Sequence, residues 1–201
     1  LGQKIKSLPT SNTIGIKNVA DTLKEAKEYD QRGFKILKVK LGIDPEEDIE
    51  RMVKLREEFG KRMVIRIDAN QGYTSKQTID FYNRTKHLDI ELIEQPLPAK
   101  AIDEIKALPE EIRTIIAADE SLLSPSDALK LITPPKASGI FNIKLMKCGG
   151  VNQALKIADL ALNANVDLFW GCNDESIVSI TAALHTAFSC ANTKYIDLDG
   201  S

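Results

Sequence analysis

The chain has 201 residues and a formal net charge of −2, so it can bury one sizeable core and gives no electrostatic reason to expect nucleic acid or an anionic membrane as a partner. Hydrophobic residues make up 43% of the sequence, and no apolar run is long enough to span a membrane. The three cysteines, Cys148, Cys172 and Cys190, include no CxxC pair, so we expect free thiols in a reducing cytoplasm and no zinc site.

Strands and helices alternate along the whole sequence. Short apolar runs predict strands, and apolar residues at helical spacing predict the helices between them. In chain order, the predicted strands lie at residues 11–16, 35–40, 64–67, 92–93, 115–117, 140–143, 167–170 and 194–198. The predicted helices lie at residues 18–30, 44–59, 74–85, 102–108, 126–131, 152–163 and 176–191.

This alternation predicts an α/β fold, a (β/α)8 barrel of the TIM type. A doubly wound open sheet is the alternative, but it normally carries a glycine-rich turn after its first strand, and residues 16–18 contain no glycine. The helix expected after the eighth strand has no sequence left, because the chain ends at Ser201. We therefore expect one incomplete catalytic barrel domain over residues 1–201. Since the chain begins at Leu1 rather than Met, we also expect it to be part of a longer polypeptide.

Three acidic residues come where predicted strands end, at Asp68, Glu94 and Asp119. The carboxyl ends of barrel strands meet at one mouth, and three close carboxylates repel one another unless a cation lies between them. A site of carboxylates without His or Cys favours Mg²⁺. A single acid of this kind would more simply be a surface loop residue. The residues beside these acids are candidates for supporting contacts, although solvent-facing positions are equally open: Asn70, Gln95 and Glu120.

Two lysines flank the acids, because Lys40 ends the second predicted strand and Lys144 the sixth. The five charged residues recur at intervals of 25 to 28 positions. Lys38 lies on the same strand face as Lys40, and its charge, with that of the metal, would lower the pKa of Lys40 so that it can act as a base. The simpler alternative is that these lysines are ion-pair partners of the acids.

Two bases around one metal suggest proton transfer at a carbon next to a carboxylate. The metal would stabilise the enolate that forms, one lysine would remove a proton from one face, and the other would return a proton to the opposite face. The result inverts a stereocentre. A Schiff-base lysine aldolase would share the barrel and a lysine on the sixth strand, but it leaves three acids in register unexplained.

Five segments carry a resemblance to a known family. They are KVK (38–40), RIDAN (66–70), IEQP (93–96), ADES (118–121) and NIKLMKCGG (142–150). In them the chain resembles the muconate-lactonising subgroup of the enolase superfamily. The resemblance implies that the three acids are Mg²⁺ ligands and that Lys40 and Lys144 are the two acid/base lysines.

The last segment, YIDLDGS, adds Asp197 and Asp199. It looks like a motif of dipeptide epimerases of the L-Ala-D/L-Glu type, where these acids hold the α-ammonium group of the substrate. Carboxylates at positions i and i+2 of a strand face the same way, which suits one cation. A surface acidic turn before a glycine is the simpler alternative. The resemblance implies a Mg²⁺-dependent isomerase that epimerises a dipeptide at the α-carbon of its C-terminal residue.

Other outcomes remain open within the same family. The alternatives are a cycloisomerase, an o-succinylbenzoate synthase, an N-acylamino acid racemase, or a barrel that binds metal without turnover. Full members of the family carry an N-terminal capping domain that closes over the barrel mouth, and we expect residues 1–201 to lack that domain. We expect the full-length protein to be a homo-oligomer. The segment 171–176 can also contact substrate through its backbone N–H groups.

Overall fold

The computed structural model describes residues 2–198. Within this range, eight parallel strands are hydrogen-bonded in sequential order and alternate with helices. The strands are β1 (Asn12–Ile14), β2 (Ile36–Lys40), β3 (Val64–Asp68), β4 (Ile90–Glu94), β5 (Ile116–Ala118), β6 (Ile140–Ile143), β7 (Asp167–Gly171) and β8 (Thr193–Asp197). The α-helices are α1 (Val19–Gln31), α2 (Pro45–Phe59), α3 (Ser75–Thr85), α4 (Ile102–Ala107), α5 (Glu110–Arg113), α6 (Pro125–Ile132), α7 (Leu145–Cys148), α8 (Val151–Asn163) and α9 (Ile177–Ser189).

The first and last strands come together and nearly close the sheet. Thr10 forms a parallel bridge with Ile196, and the amide of Ser11 donates to the carbonyl of Ile196 at 3.3 Å. The predicted (β/α)8 barrel is therefore confirmed, and the open-sheet alternative does not apply. In the part of the chain that the structure describes, no helix is both long and apolar enough to cross a bilayer.

Two helical segments differ from the prediction. The single helix predicted at residues 102–108 is followed by a separate short helix, α5, because Pro109 lacks an amide hydrogen and forces Leu108 into an extended conformation. A four-residue helix, α7, follows Lys144 where a loop was expected. The start of α3 has a capping box in which Thr74 and Gln77 bond each other reciprocally, so Thr74 is the cap.

The barrel interior is apolar below and charged above. Its lower part holds a small cluster of buried residues: Leu92, Ala117, Ile140 and Phe169. Arg66 lies buried beside this cluster, with its guanidinium 5.7 Å from the ring centre of Phe169 and 5.0 Å from that of Tyr195. Its Nε also bonds the carboxylate of Glu91 at 2.6 Å. Paired and stacked in this way, Arg66 is tolerated inside the barrel, below the strand ends that carry the candidate site.

The loops after β2 and β3 touch through two glycines. Gly42 has a φ of 103°, and a Cβ atom built there would lie 2.1 Å from the carbonyl oxygen of Ala69. A Cβ atom on Gly72 would lie 2.0 Å from the carbonyl oxygen of Gly42. Only glycine fits this contact at both positions. The two loops that follow Lys40 and Asp68 are thus held in direct backbone contact.

Candidate active site

The carboxyl ends of the strands open into one cavity of about 700 Å³. Strand register sets Lys40 beside Asp68 and Asp68 beside Glu94 on neighbouring strands. Glu94 and Gln95 are buried behind the cavity wall. The other described residues that the sequence predicted for the site all line the cavity: Lys38, Lys40, Asp68, Asn70, Asp119, Glu120, Lys144 and Asp197.

Glu94 is the most deeply buried of the three predicted ligands, with no exposed surface. Its Oε1 accepts a hydrogen bond of 2.7 Å from the side-chain amide of Asn142. Its Oε2 has no hydrogen-bond partner, although the ammonium group of Lys38 lies 3.5 Å away. Burial raises the pKa of Glu94 well above its usual value, and the negative charge of Asp68 adds to the effect. The nearby lysines therefore do not fully offset the cost of burying the Glu94 carboxylate in its ionised form.

Asp68 is held by the residue two positions after it. Its carboxylate accepts hydrogen bonds from the backbone amide of Asn70 at 3.0 Å and from the side-chain amide of Asn70 at 3.2 Å. Burial raises the pKa of Asp68 above its usual value. Asn70 therefore orients the carboxylate at the end of β3, and its supporting role at a metal site stays a prediction.

Asp119 faces two ammonium groups. Lys144 donates to its Oδ2 at 2.7 Å, and Lys147 contacts its Oδ1. Although burial acts to raise the pKa of Asp119, the charges of Lys147 and Lys144 hold it below its usual value. The ion-pair alternative for Lys144 is thus realised in this arrangement, while its Nζ also donates to Oδ1 of Asn173 at 3.1 Å.

Lys147 is a further charged residue at the site that the sequence pattern did not predict. Its Nζ also donates to the backbone carbonyls of Asp119 at 2.7 Å and Asn142 at 3.1 Å, so it joins the ends of β5 and β6. Burial lowers the pKa of Lys147, against the opposing charge of Asp119. The signal in the sequence is the three-residue interval between Lys144 and Lys147, which is a helical spacing, but α7 is too short to be recognised from its pattern.

Lys38 contacts acids on both sides. Its ammonium group pairs with Asp197 and lies 3.5 Å from Glu94. Burial alone would lower the pKa of Lys38, but the charges of Glu94 and Asp197 raise it well above its usual value. Lys38 is therefore a fixed cation between β4 and β8. Its predicted electrostatic effect on Lys40 stays a prediction.

Asp197 lines the cavity at the end of β8 and is 4% exposed. Besides the ion pair with Lys38, it accepts a hydrogen bond of 2.7 Å from the hydroxyl of Ser11. These contacts anchor its carboxylate beside the cavity. Asp199, its predicted companion, lies outside the described residues.

Glu120 and Gln95 have different surroundings from each other. Glu120 lines the cavity, and its buried Oε2 has no hydrogen-bond partner. Burial raises the pKa of Glu120 above its usual value. The side chain of Gln95 instead holds the next loop, because its Oε1 accepts from the amide of Asp119 at 3.0 Å and from the amide and hydroxyl of Ser121 at 3.1 and 2.8 Å.

Replacing Gln95 by Leu is therefore expected to lower the free energy of unfolding by about 3 kcal/mol, because three buried donors lose their acceptor at once. Urea denaturation measures this change. Gln71→Leu is the matched control. The side chain of Gln71 is half-buried and accepts one hydrogen bond, from the backbone amide of Ala99 at 2.9 Å. Equal losses in the two variants would contradict the assigned role of Gln95.

Carboxylate oxygens are suitable ligands for a divalent cation, but the three acids are not arranged around one point in this structure. Among residues 2–198, no group of three or more His, Cys, Asp or Glu side chains has metal-coordinating geometry. Asp119 turns to the lysines instead, and Glu94 to Asn142. Burial, and then repulsion from Asp68, raise the pKa of Glu94, and its Oε2 has no hydrogen-bond partner; a hard cation bound by oxygen ligands would relieve both features.

Known proteins share both this fold and much of this sequence. The chain is 53% identical over 201 residues to the L-Lys-D/L-Arg epimerase of Desulforapulum autotrophicum and 38% identical over 202 residues to the L-Ala-D/L-Glu epimerase of Clostridium acetobutylicum. In both cases the match covers 100% of this chain and 56% of the relative, so the chain spans little more than half the length of these relatives.

Solved structures agree with the sequence relatives. The crystal structure of the dipeptide epimerase from Methylococcus capsulatus, complexed with Mg and the dipeptide L-Arg-D-Lys, matches with a TM-score of 0.97 and 54% identity, over 100% of this chain and 56% of that one. A family model described as enolase C-terminal domain-like matches residues 21–200. This match covers most of the barrel and the segments in which the resemblance was recognised, so the chain belongs to the enolase C-terminal domain-like family.

Proposed function

We propose that the protein containing this chain is a Mg²⁺-dependent isomerase that epimerises a dipeptide at the α-carbon of its C-terminal residue. The observation that carries the proposal is the placement of Lys40 and Lys144 around one cavity that Asp68 and Asp119 also line. These lysines end β2 and follow β6, and strands four places apart lie on opposite sides of an eight-stranded barrel. A substrate carbon between them would have one amine on each face.

Asp68, Glu94 and Asp119 are the proposed holders of the metal. When bound there, Mg²⁺ supplies Lewis acidity, which acidifies the α-proton of a nearby carboxylate. Asn70 keeps Asp68 in place through two hydrogen bonds, and Gln95 fixes the loop that begins at Asp119. If Asp119 turns its carboxylate toward the metal, Lys144 keeps Asn173 as a partner at the edge of the cavity.

The two lysines move the protons. One acts as a neutral amine and removes the α-proton from its face of the substrate, and the other acts as an ammonium ion and delivers a proton to the opposite face. One proton is taken up and one is given, so the reaction is a net isomerisation with no other reactant. In the reverse direction the lysines exchange roles, which requires both of them to lie within reach of the same carbon.

Asp197 and Asp199 are the proposed binding partners for the α-ammonium group of the substrate. The carboxylate of Asp197 lines the cavity and is anchored by Ser11 and Lys38, so it is preorganised before substrate arrives. A free amine distinguishes dipeptides from N-acylated amino acids and from muconate, which carry no such cation. An anchored carboxylate at this position therefore favours the dipeptide reaction over the other activities of the subgroup.

For the substrate side chains we propose cationic dipeptides, of the L-Lys-L-Arg kind. Two relatives that are 53% and 54% identical to this chain are named L-Lys-D/L-Arg epimerases, whereas an L-Ala-D/L-Glu epimerase is 38% identical. Acidic side chains at the cavity suit cationic substrates, because Glu120 and the exposed Asp174 both line it. A cytoplasmic location and a homo-oligomeric state remain predictions for the intact protein.

A panel of dipeptides tests this specificity. In the intact protein with Mg²⁺, kcat/KM for L-Lys-L-Arg is expected to exceed that for L-Ala-L-Glu by about a hundredfold, which corresponds to about 2.7 kcal/mol of transition-state binding. Chiral analysis of the products gives both rates. An equal or higher kcat/KM for L-Ala-L-Glu would contradict the proposed side-chain preference, and turnover of N-succinyl amino acids alone would contradict the dipeptide reaction.

A further inference from the structure

A fully buried ion pair lies outside the cavity, on α2. Asp48 has no exposed surface and Arg51 is 2% exposed, and the guanidinium of Arg51 contacts Oδ1 of Asp48. Neither residue takes part in the chemistry proposed above. Charged side chains are rarely buried this completely unless they are paired, and here the pair faces the loops that follow the first strands of the barrel.

The pair is bonded to three of these loops. Oδ2 of Asp48 accepts the backbone amide of Gly42, after β2, at 2.9 Å and the hydroxyl of Tyr73, after β3, at 2.6 Å. Arg51 donates to the carbonyl of Lys17, after β1, at 2.9 Å. One carboxylate and one guanidinium therefore connect the segments that leave three neighbouring strands.

One of these contacts, at Gly42, lies two residues after Lys40. The amide of Leu41 donates to the carbonyl of Asp68 at 2.8 Å, and the amide of Gly42 donates to Asp48. The next loop is held against Gly42 by the close approach of Gly72. The backbone that follows Lys40 is thus hydrogen-bonded to both β3 and α2, which restricts the position of the Lys40 Cα atom.

Stability alone is a weak reason for such a pair. Burying two charges carries a large desolvation penalty, and replacing a buried ion pair by apolar residues is often neutral or stabilising. The penalty is incompletely offset here, because Nε of Arg51 is buried without a hydrogen-bond partner. What apolar side chains could not supply is the set of directed bonds to Gly42, Tyr73 and Lys17.

We propose that Asp48, supported by Arg51 and Tyr73, is a positioning residue that holds Lys40 at the cavity. Lys144 has separate supports, because its ammonium group bonds Asp119 and Asn173 on the far side of the barrel. Loosening the buried pair therefore disturbs one base and spares the other. The inference rests on the proposed two-lysine function and assigns to it a residue that does not touch the substrate.

The effect is measurable as an imbalance between the two epimers. In D₂O, incorporation of deuterium into unreacted substrate requires only the lysine that faces its α-proton. In the intact protein with Mg²⁺ and L-Lys-L-Arg or its L,D epimer, Asp48→Asn is expected to slow exchange of the epimer that Lys40 serves by about tenfold to a hundredfold, since small misplacements of a reacting group cost this much. Exchange of the other epimer changes by less than about threefold. Lys40→Met identifies which epimer is which.

Two further variants make the result decisive. Tyr73→Phe removes one bond to Asp48 without changing its charge, so it carries the test if Asp48→Asn does not fold, and it is expected to shift the ratio in the same direction. Thr193→Val is the control, since it removes two buried hydrogen bonds, from Trp170 and to the carbonyl of Ala187, that do not involve α2 or the loops bonded to it, and it leaves the ratio unchanged. In the metal-free protein, Asp48→Asn is also expected to speed amide hydrogen exchange at Gly42 more than in the control.

Three outcomes separate the possibilities. An altered epimer ratio in Asp48→Asn and Tyr73→Phe, with no change in Thr193→Val, supports the assignment. Equal losses for both epimers, or an unchanged ratio in folded variants, overturn it while leaving the proposed function intact. If the unaltered protein exchanges neither α-proton, the proposed function itself fails, and the role assigned to Asp48 fails with it.

Discussion

Replacement of Lys40 by Met is expected to slow epimerisation by about a thousandfold while leaving α-proton exchange of one epimer. The amine on β2 is then missing, so the substrate that presents its α-proton to that face no longer reacts. The epimer that faces Lys144 still loses its proton to that lysine and regains a solvent deuteron from it without inversion. Removing an acid/base group of this kind lowers the epimerisation rate by about a thousandfold.

The Lys144→Met variant is expected to give the complementary pattern, and the double variant exchanges neither epimer. ¹H NMR in D₂O follows exchange, and chiral chromatography follows inversion. Lys156→Met, at an exposed position on α8, is the control and retains both activities. Exchange of either epimer that persists in the double variant would contradict the assignment of the two lysines as the bases.

Addition of Mg²⁺ is expected to raise the thermal unfolding temperature of the protein, and Asp119→Asn is expected to remove this response. A ligand at a hundred times its dissociation constant stabilises the folded state by about 2.7 kcal/mol, which corresponds to about 5–10 °C for a domain of this size. Without metal, Asp119→Asn also lowers stability, because the carboxylate loses its ion pairs with Lys144 and Lys147.

Glu94→Gln is expected to affect stability differently without and with metal. Burial and neighbouring negative charge raise the pKa of Glu94, so its ionised form destabilises the folded state at neutral pH. Without metal the variant is expected to be as stable as the unaltered protein or more so, since Gln keeps an oxygen for Asn142. With Mg²⁺ it loses the stabilisation. Asp159→Asn, exposed on α8, is the control, and a normal Mg²⁺ response in both ligand variants would contradict the proposed site.

The strand-end residues were predictable because two regular features fix them. Alternation along a strand determines which side chains face the barrel interior, and the repeating interval brings successive strand ends to one mouth. Asp68 and Asp119 therefore line the same cavity although they are far apart in the sequence. The break between α4 and α5 could also have been read from Pro109, whose effect on the preceding residue is local.

Other parts of the site depend on contacts that no local pattern reports. Lys147 joins the loop after β6 to Asp119 only because the chain folds into a single helical turn there. Gln95 lies on the opposite face of the chain from Glu94, and its bonds to Asp119 and Ser121 form only because the loop after β5 packs against it. Asp48 and Arg51 belong to α2, whose many charged residues are typical of a solvent-exposed helix. Their burial follows from the loops that pack over them. Each of these depends on tertiary context.

A crystal structure of the intact protein with Mg²⁺ and a cationic dipeptide tests the central claim most directly. We expect oxygen atoms of Asp68, Glu94 and Asp119 to lie at about 2.0–2.1 Å from one metal ion. Nζ of Lys40 and Nζ of Lys144 are expected to approach the α-carbon of the C-terminal residue from opposite faces. A metal bound by other residues, or both lysines on one face of that carbon, would contradict the central claim.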